Sequence, residues 1–310
     1  MAIELTYCVV NTEQRQLLRY CLDSIARERA AVPFETEVLV LDNASRDGSA
    51  GAARVHGATT EVIALEQRRG KGENDTTLLR RARGRYALLL NEDSELEPGA
   101  TIALHGALDA RREAAVAGAT LVNHGGEQQP SAWRFPGPLA ALLTALWLHR
   151  RLVVQSRGAR VREVDWVQSA ALLVRRDAAD AIGHFDPAFF VYSDEVDFCK
   201  RLRDAGWDVL YVPDARAVSH ERPLEDGAQR IVELSRNRDR YMHKHHTPGA
   251  ARAVRWLTAW TYSMRALAAL VLPGHEARRY ARHAGATLFP DRGEGLAEGA
   301  AEYNRGGRRL

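Results

Sequence analysis

Tyr86 to Leu90 is an unbroken apolar, strand-forming run that passes directly into Asn91, Glu92, Asp93, Ser94 and Glu95, before Pro98 and Gly99 close the turn. The run is long enough to cross a core and too short for a helix, so the chain must build a buried sheet. Carboxylates do not sit at the end of such a strand for packing, because an uncompensated buried charge is costly. They need water, a cation or hydrogen-bond donors. A solvated acidic turn meets that need. So does a ligand site, which open α/β sheets place at the carboxyl ends of their strands.

The flanking sequence repeats the pattern. Ile3 to Val10 reads as a first strand, followed by a helix from about Glu13 to Arg29 with Leu18, Cys21, Leu22 and Ile25 at helical spacing. Glu37 to Leu41 is a second strand and ends in Asp42-Asn43-Ala44-Ser45-Arg46-Asp47-Gly48, side chains that favour turns and helix starts. A third strand spans about Thr60 to Leu65, and Gly70-Lys71-Gly72 opens a basic helix reaching Arg83. This alternation predicts a mostly parallel sheet with helices on both faces.

Beyond Gly99 a helix is expected to about Arg112, a strand over Ala115 to Val122, and a loop or mobile flap over Asn123 to Pro138. An apolar helix to Leu148 follows, then sheet character from Val164 to Val174 and a short helix ending at Gly183. The aromatic turn His184 to Tyr192 leads to a helix opened by Asp194-Glu195-Val196-Asp197, with Ser193 as its N-cap. Trp207 to Val212 and Ala215 to His220 read as two further strands, and from Leu224 the chain is helical and basic.

At 310 residues, 45% hydrophobic and 27% charged, the chain has the makings of a soluble globular protein of one or two domains. The expected division is residues 1–223 as an α/β domain and 224–310 as a helical, basic extension. A net charge of +3 gives no sign of a nucleic-acid partner. Cys8, Cys21 and Cys199 are odd in number and lack a CxxC, which argues against a disulfide scaffold or zinc site and fits a reducing compartment. The start of the chain carries no basic n-region or apolar signal core, so a cytoplasmic location is expected.

Each strand-end loop (Asn11-Thr12-Glu13, Asp42–Asp47, Gly70–Asn74 and Asn91–Glu95) contains a carboxylate, and a parallel sheet lines them along one rim. An acidic rim with a Gly-rich, lysine-bearing loop suits a sugar or nucleotide held through Mg²⁺ or Mn²⁺, which take carboxylates plus substrate phosphates. Gly70-Lys71-Gly72 lacks P-loop spacing, and no GxGxxG follows the first strand.

The ordered blocks DNASRDGS, GKG before a helix, ARGRYALLLNEDSELEPG, VDWVQSAALLVRRDA and GHFDPAFFVYSDEVDFCKRLRDAGWDVLYVPDARAVSH resemble the GT-A glycosyltransferases of family 2, nearest the rhamnosyltransferase-like branch, over about residues 3 to 246. The resemblance implies a GT-A, Rossmann-like α/β fold with a C-terminal helical extension. It also implies an inverting transfer of a sugar from a nucleoside-diphosphate donor, dTDP-rhamnose or a UDP-hexose, onto an acceptor hydroxyl. It places Thr12, Glu13, Asp42, Asn43, Lys71, Asn91, Glu92 and Asp93 at the donor, and Asp93 with His220 at the metal. Glu92 stands where relatives usually have proline. The catalytic base falls on Glu195, with Asp194 as second choice because the usual Glu-Asp order is reversed here. Asp197, Trp166 and Tyr192 are placed at a carbohydrate, lipid-linked or small-molecule acceptor. Helix-start electrostatics are the lesser alternative for the acids at 194–197, while a solvated lysine accounts equally for Lys71 and core packing for the aromatics. A catalytically silent carbohydrate-binding relative is the first alternative. A sugar nucleotidyltransferase is disfavoured by the loop after the first strand.

Arg252 to Leu272 is apolar, carries Trp256, Trp260 and Tyr262, and is interrupted by Arg265, so its apolar runs are too short to span a bilayer. It suits a helix at a membrane surface, one docked on the catalytic domain, or a homodimer contact. Arg278, Arg279, Arg282, Arg292, Arg305, Arg308 and Arg309 add positive charge, and Glu298 to Leu310 is expected to fray.

Overall fold

The computed structural model describes residues 2–220, 227–272 and 274–306. The expected boundary at 223/224, the helix start at Leu224, and Arg308 and Arg309 lie outside them. Strands and helices alternate as β1 (Leu5–Asn11), α1 (Arg15–Ala31), β2 (Thr36–Asp42), α2 (Ser49–Val55), β3 (Glu61–Ala64), α3 (Lys71–Arg81) and β4 (Tyr86–Asn91). Then come β5 (Ser94–Leu96), α4 (Ala100–Ala110), β6 (Ala114–Val122), β7 (Gln128–Gln129), β8 (Ala132–Trp133) and α5 (Pro138–Ala145). After a π-helical turn at His149–Val153 follow β9 (Arg162–Glu163), β10 (Trp166–Val167), β11 (Ala171–Arg175), α6 (Arg176–Ala181), α7 (Asp194–Asp204) and β12 (Asp208–Ser219). The chain ends in α8 (Gly227–His245), α9 (Pro248–Ala268), α10 (Ala277–Leu288) and α11 (Leu296–Gly306).

The main sheet runs β3-β2-β1-β4-β11-β6-β12-β5, with β7 beside β6 and β9 beside β12. β1 to β4 are mutually parallel, β11 is antiparallel between β4 and β6, and β12 returns parallel to β6. Strands covered on both faces need continuous apolar runs. Tyr7, Val9, Val38, Val40, Leu88 and Leu90 accordingly share one buried cluster with Leu18, Leu22 and Ile25 of α1. The register Asn11↔Asp42, Asp42↔Ala64 and Val10↔Asn91 sets the ends of β1 to β4 level, which produces the expected rim.

Several expectations change. The strands expected at Trp207–Val212 and Ala215–His220 are one strand, β12, with a register shift between Val212 and Arg216. Pro213 has no N–H to give a ladder, so a bulge absorbs it without ending the strand. The flap expected at Asn123–Pro138 is partly ordered, because β7 pairs with β6 and β8 with β10. Gln128 Nε2 also reaches Ser156 O at 2.8 Å and the Tyr211 hydroxyl at 2.9 Å. Ser193 has φ 61 and Tyr192 φ 66, whereas an N-cap residue is ordinarily extended. The expected fraying from Glu298 is replaced, up to residue 306, by α11, where Glu298 Oε1 accepts from Arg236 Nη1 at 2.6 Å.

Contacts divide the chain into two compact units. The first comprises Met1–Trp133, Gln155–Pro187 and Glu195–Glu221, the second Arg134–Val154, Ala188–Asp194 and Arg222–Leu310. The second unit therefore recruits two earlier stretches as well as the C-terminal helices. Its α5 packs on α9, and α10 on α8 and α9. Among the described residues no helix is long and apolar enough to cross a membrane.

Candidate active site

The first unit builds the rim from mutually bonded polar side chains. Asp42 is 2% exposed and accepts from Asn11 Nδ2 at 2.8 Å and from the Ser45 N–H at 3.0 Å. Asn43 holds both sides of Arg69, its Oδ1 accepting from the Arg69 N–H at 2.8 Å and its Nδ2 donating to Arg69 O at 3.1 Å. The same Nδ2 lies 3.3 Å from Thr12 Oγ1. Glu13, with φ 55, accepts from the Arg46 N–H at 3.1 Å and from Arg68 Nη2 at 2.7 Å. Lys71 Nζ reaches Asp75 Oδ2 at 2.6 Å, and Asp75 is 1% exposed. Glu13, Asp42, Asn43 and Lys71, expected at the donor, are each tied to neighbouring loops of the protein by these bonds. Such a network fixes loop shape before any ligand arrives. Arg68 and Arg69, which sequence reading missed, enter the rim through it.

The acidic turn has a different character. After β4 the chain turns at Glu92-Asp93 into β5, which pairs antiparallel with the C-terminal end of β12. Ser219↔Ser94 and Val218↔Glu95 are in register, so the next residue, His220, donates its backbone N–H to Asp93 O at 2.9 Å. Its Nε2 lies 3.3 Å from Glu95 Oε2, and Arg27 Nη2 holds Glu95 Oε1 at 2.9 Å. The His220 ring stacks on Tyr20 with centroids 6.1 Å apart and meets His124 edge-on at 4.2 Å. Burial, and then the negative field of Glu92, Asp93 and Glu95, pushes the Cys21 thiol well above its ordinary range. That field marks a place a cation would favour. Asn91, Glu92 and Asp93 are all partly exposed, as ligand-facing groups must be.

The donor set fits a divalent ion. Asp93 and His220, whose main chains meet where β5 begins and β12 ends, carry side-chain oxygen and nitrogen of the kinds Mn²⁺ accepts. Among the described residues no group of three or more His, Cys, Asp or Glu forms a closed cage. Mg²⁺ and Mn²⁺ commonly take one or two protein ligands and complete their shell with phosphate and water.

α7 carries the expected base. Glu195 is partly exposed, whereas Asp197 is fully buried and accepts from Arg201 Nε at 2.8 Å. Arg201 in turn donates to Ile182 O at 2.8 Å and His184 O at 2.5 Å. Asp197, expected at the acceptor, thus orients the arginine that clamps the loop before α7. Phe185 stacks on Phe198 at 4.2 Å and Cys199 is fully buried, its thiol pushed by burial up to about 12, so both belong to the core. Trp166 is half-buried and stacks at 4.5 Å on Trp133, a partner sequence reading did not single out. Gly118 permits this: a Cβ there would meet Val167 at 2.5 Å, so only glycine lets β10 cross β6 so closely.

Tyr192 and Asp194 fall in the second unit. Their stretch is held by α8, where the buried Asn237 donates to Val191 O at 2.8 Å and Arg240 donates to Ala188 O. The histidines 243, 245 and 246 are used separately. His243 lies beside Asp239, His245 on the Tyr241 ring, and His246 beside Pro136 O.

Comparisons with known proteins bear on the family and the fold. The N-acetylglucosaminyl-diphospho-decaprenol L-rhamnosyltransferase of Mycobacterium tuberculosis is 32% identical over 144 residues, covering 44% of this chain and 47% of the relative. The chain thus spans about half the length of the curated relatives it matches. A mannosyltransferase from Pyrobaculum calidifontis, solved with GDP-Man and Mn²⁺, superposes with a TM-score of 0.60 at 15% identity over 94% of this chain and 86% of its own. GalNAc-T7, solved with UDP, GalNAc and Mn²⁺, gives 0.61 at 12% identity over 93% and 55%. At those identities the likeness establishes the fold, which is GT-A. The profile described as "Glycosyltransferase like family 2" matches residues 4–263, and the chain belongs to that family.

Proposed function

We propose that this protein is a metal-assisted, inverting glycosyltransferase that uses a nucleoside-diphosphate sugar. The observation that carries the reading is the meeting of Asp93 and His220, 127 positions apart in sequence, through the β5–β12 ladder beneath an acidic turn. Asp93 and His220 would hold Mg²⁺ or Mn²⁺, which when bound neutralises charge on the departing diphosphate. Thr12, Asn91 and the loops fixed by Asp42, Asn43 and Glu13 would receive the nucleotide. Glu195 would take the acceptor hydroxyl's proton, and its exposure favours it over Asp194, which is 1% exposed. The paired Trp133 and Trp166 offer an aromatic face for an acceptor ring. The rhamnosyltransferase relative makes a deoxyhexose donor and a lipid-linked saccharide acceptor the first choices to assay.

The test is a thermal-shift series of nucleoside diphosphates and nucleotide sugars with and without Mn²⁺, since a ligand that binds only the folded state raises Tm. A shift that needs metal and disappears in Asp93→Ala is expected. Folded protein that shows no shift with any nucleotide at millimolar concentration would overturn the proposal.

A further inference from the structure

The second unit presents to solvent what a water-soluble helix normally hides. Along α9, Trp256, Trp260 and Leu267 follow helical spacing, and the line continues to Val271 just beyond the helix; they are 66%, 57%, 58% and 82% exposed. α5 does the same with Leu139, Leu142 and Leu146, and none of its residues is buried. Scattered exposed apolar residues need no explanation, but two aligned stripes on helices that pack together do.

At the C-terminal end of α9, against the residues that follow α5, lies a cavity of about 350 Å³. Its cationic lining is Arg150 and Arg265, with His149, His275 and the Tyr280 hydroxyl beside them, over a floor that includes Leu272. Arg265 stands 5.8 Å over the ring of Trp147, which is 63% exposed and takes a left-handed backbone with φ 62. Such a conformation is unfavourable for a bulky side chain. Among the described residues neither Arg150 nor Arg265 has a carboxylate partner, whereas Arg255 and Arg236 of the same unit do.

The wider sequence gives the sign of the partner. Residues 134–154 and 247–290 together contain nine arginines and a single carboxylate, Glu276. A second copy of this chain would bring the same positive face against itself. A nucleic acid would answer the charge and leave the leucine and tryptophan stripes in water. An anionic bilayer answers both, because tryptophan and leucine enter the headgroup–acyl boundary while arginines pair with lipid phosphate.

We propose that the α5–α9 face of the second unit docks on the surface of a membrane rich in anionic phospholipid, with a lipid phosphate seated in the cavity between Arg150 and Arg265. This is a surface contact and not a span, and it does not depend on the transferase reading. Burial, and then the charges of Arg265 and Arg150, hold His149 below its ordinary pKa, so these two arginines rather than the imidazole supply the charge at neutral pH.

The test is co-sedimentation of the full chain with vesicles of phosphatidylcholine alone, or of phosphatidylcholine and phosphatidylglycerol in equal parts. Binding to the anionic vesicles only, weakened by salt, is expected. Arg150→Gln combined with Arg265→Gln should lower the partition coefficient roughly thirtyfold, with the Mn²⁺-dependent nucleotide shift unchanged. Brominated lipid should quench the tryptophan fluorescence of the unmodified protein, which makes the test independent of how well a variant folds. Equal binding to both vesicles, no quenching, tighter binding to duplex DNA than to vesicles, or a solution dimer broken by Leu270→Glu would each overturn the proposal. The nucleotide shift, measured on the same sample, reports on the donor site separately.

Discussion

Carboxylates of this chain divide by what surrounds them. Glu195 is partly open to solvent, and Glu195→Gln should keep metal-dependent nucleotide binding while lowering kcat by about 10²–10⁴, measured by product formation under saturating donor. Full activity in Glu195→Gln with loss in Asp194→Asn would move the base to Asp194. Asp197 is the opposite case, since its removal leaves Arg201 partly buried without its ion-pair partner. Asp197→Asn should cost ~3 kcal/mol in urea unfolding and should loosen the 182–184 clamp. Sequence alone made these residues one acidic cluster. It gave them roles by resemblance but could not read their burial, because that and the Arg201 contact depend on how α7 meets the preceding loop. For the same reason the bonds that Glu13, Asp42 and Asn43 make to partners 26 to 33 positions away were not legible in the sequence.

At the level of elements, β1 to β4 and their helices were legible, because short apolar runs and helical spacing are local signals. β8 and β10 were not. Each is two residues long, and their existence rests on Gly118 admitting Val167. Gly118→Ala should therefore destabilise the protein by about 1–3 kcal/mol and change the near-ultraviolet circular dichroism of the Trp133–Trp166 stack. A spectrum identical to that of the parent would show that β10 has room to retreat. The packing of α8, α9 and α10 has its own pH signature. His283, stacked on Tyr262 at 4.5 Å, is held down to about 4 by burial and by Arg238, Arg279 and Arg265. Its folded pKa lies below the unfolded value, so the stability of the neutral form is complete above pH ~6.5 and is lost as pH falls toward 4. His283→Phe should flatten the dependence of Tm on pH across that window.

For the molecule as a whole, the sequence suggested a catalytic domain followed by an appended tail, whereas residues 134–154 and 188–194 join the C-terminal helices in one unit. Composition along the chain cannot reveal this, because the apolar α5 carries no mark of whether α9 or the sheet will receive it. A chain ending after residue 220 should expose α5 and be recovered as aggregate in gel filtration. A soluble monomer that still binds nucleotide would show that the first unit stands without the second. The tie from Asn237 to Val191, 46 residues back, also imposes an order in time. On the ribosome, the stretch leading into Asp194 and Glu195 emerges well before α8 exists to hold it. A nascent chain thus acquires its tethered helix start only after α8 has been made, and a product terminated before α8 would lack that tether.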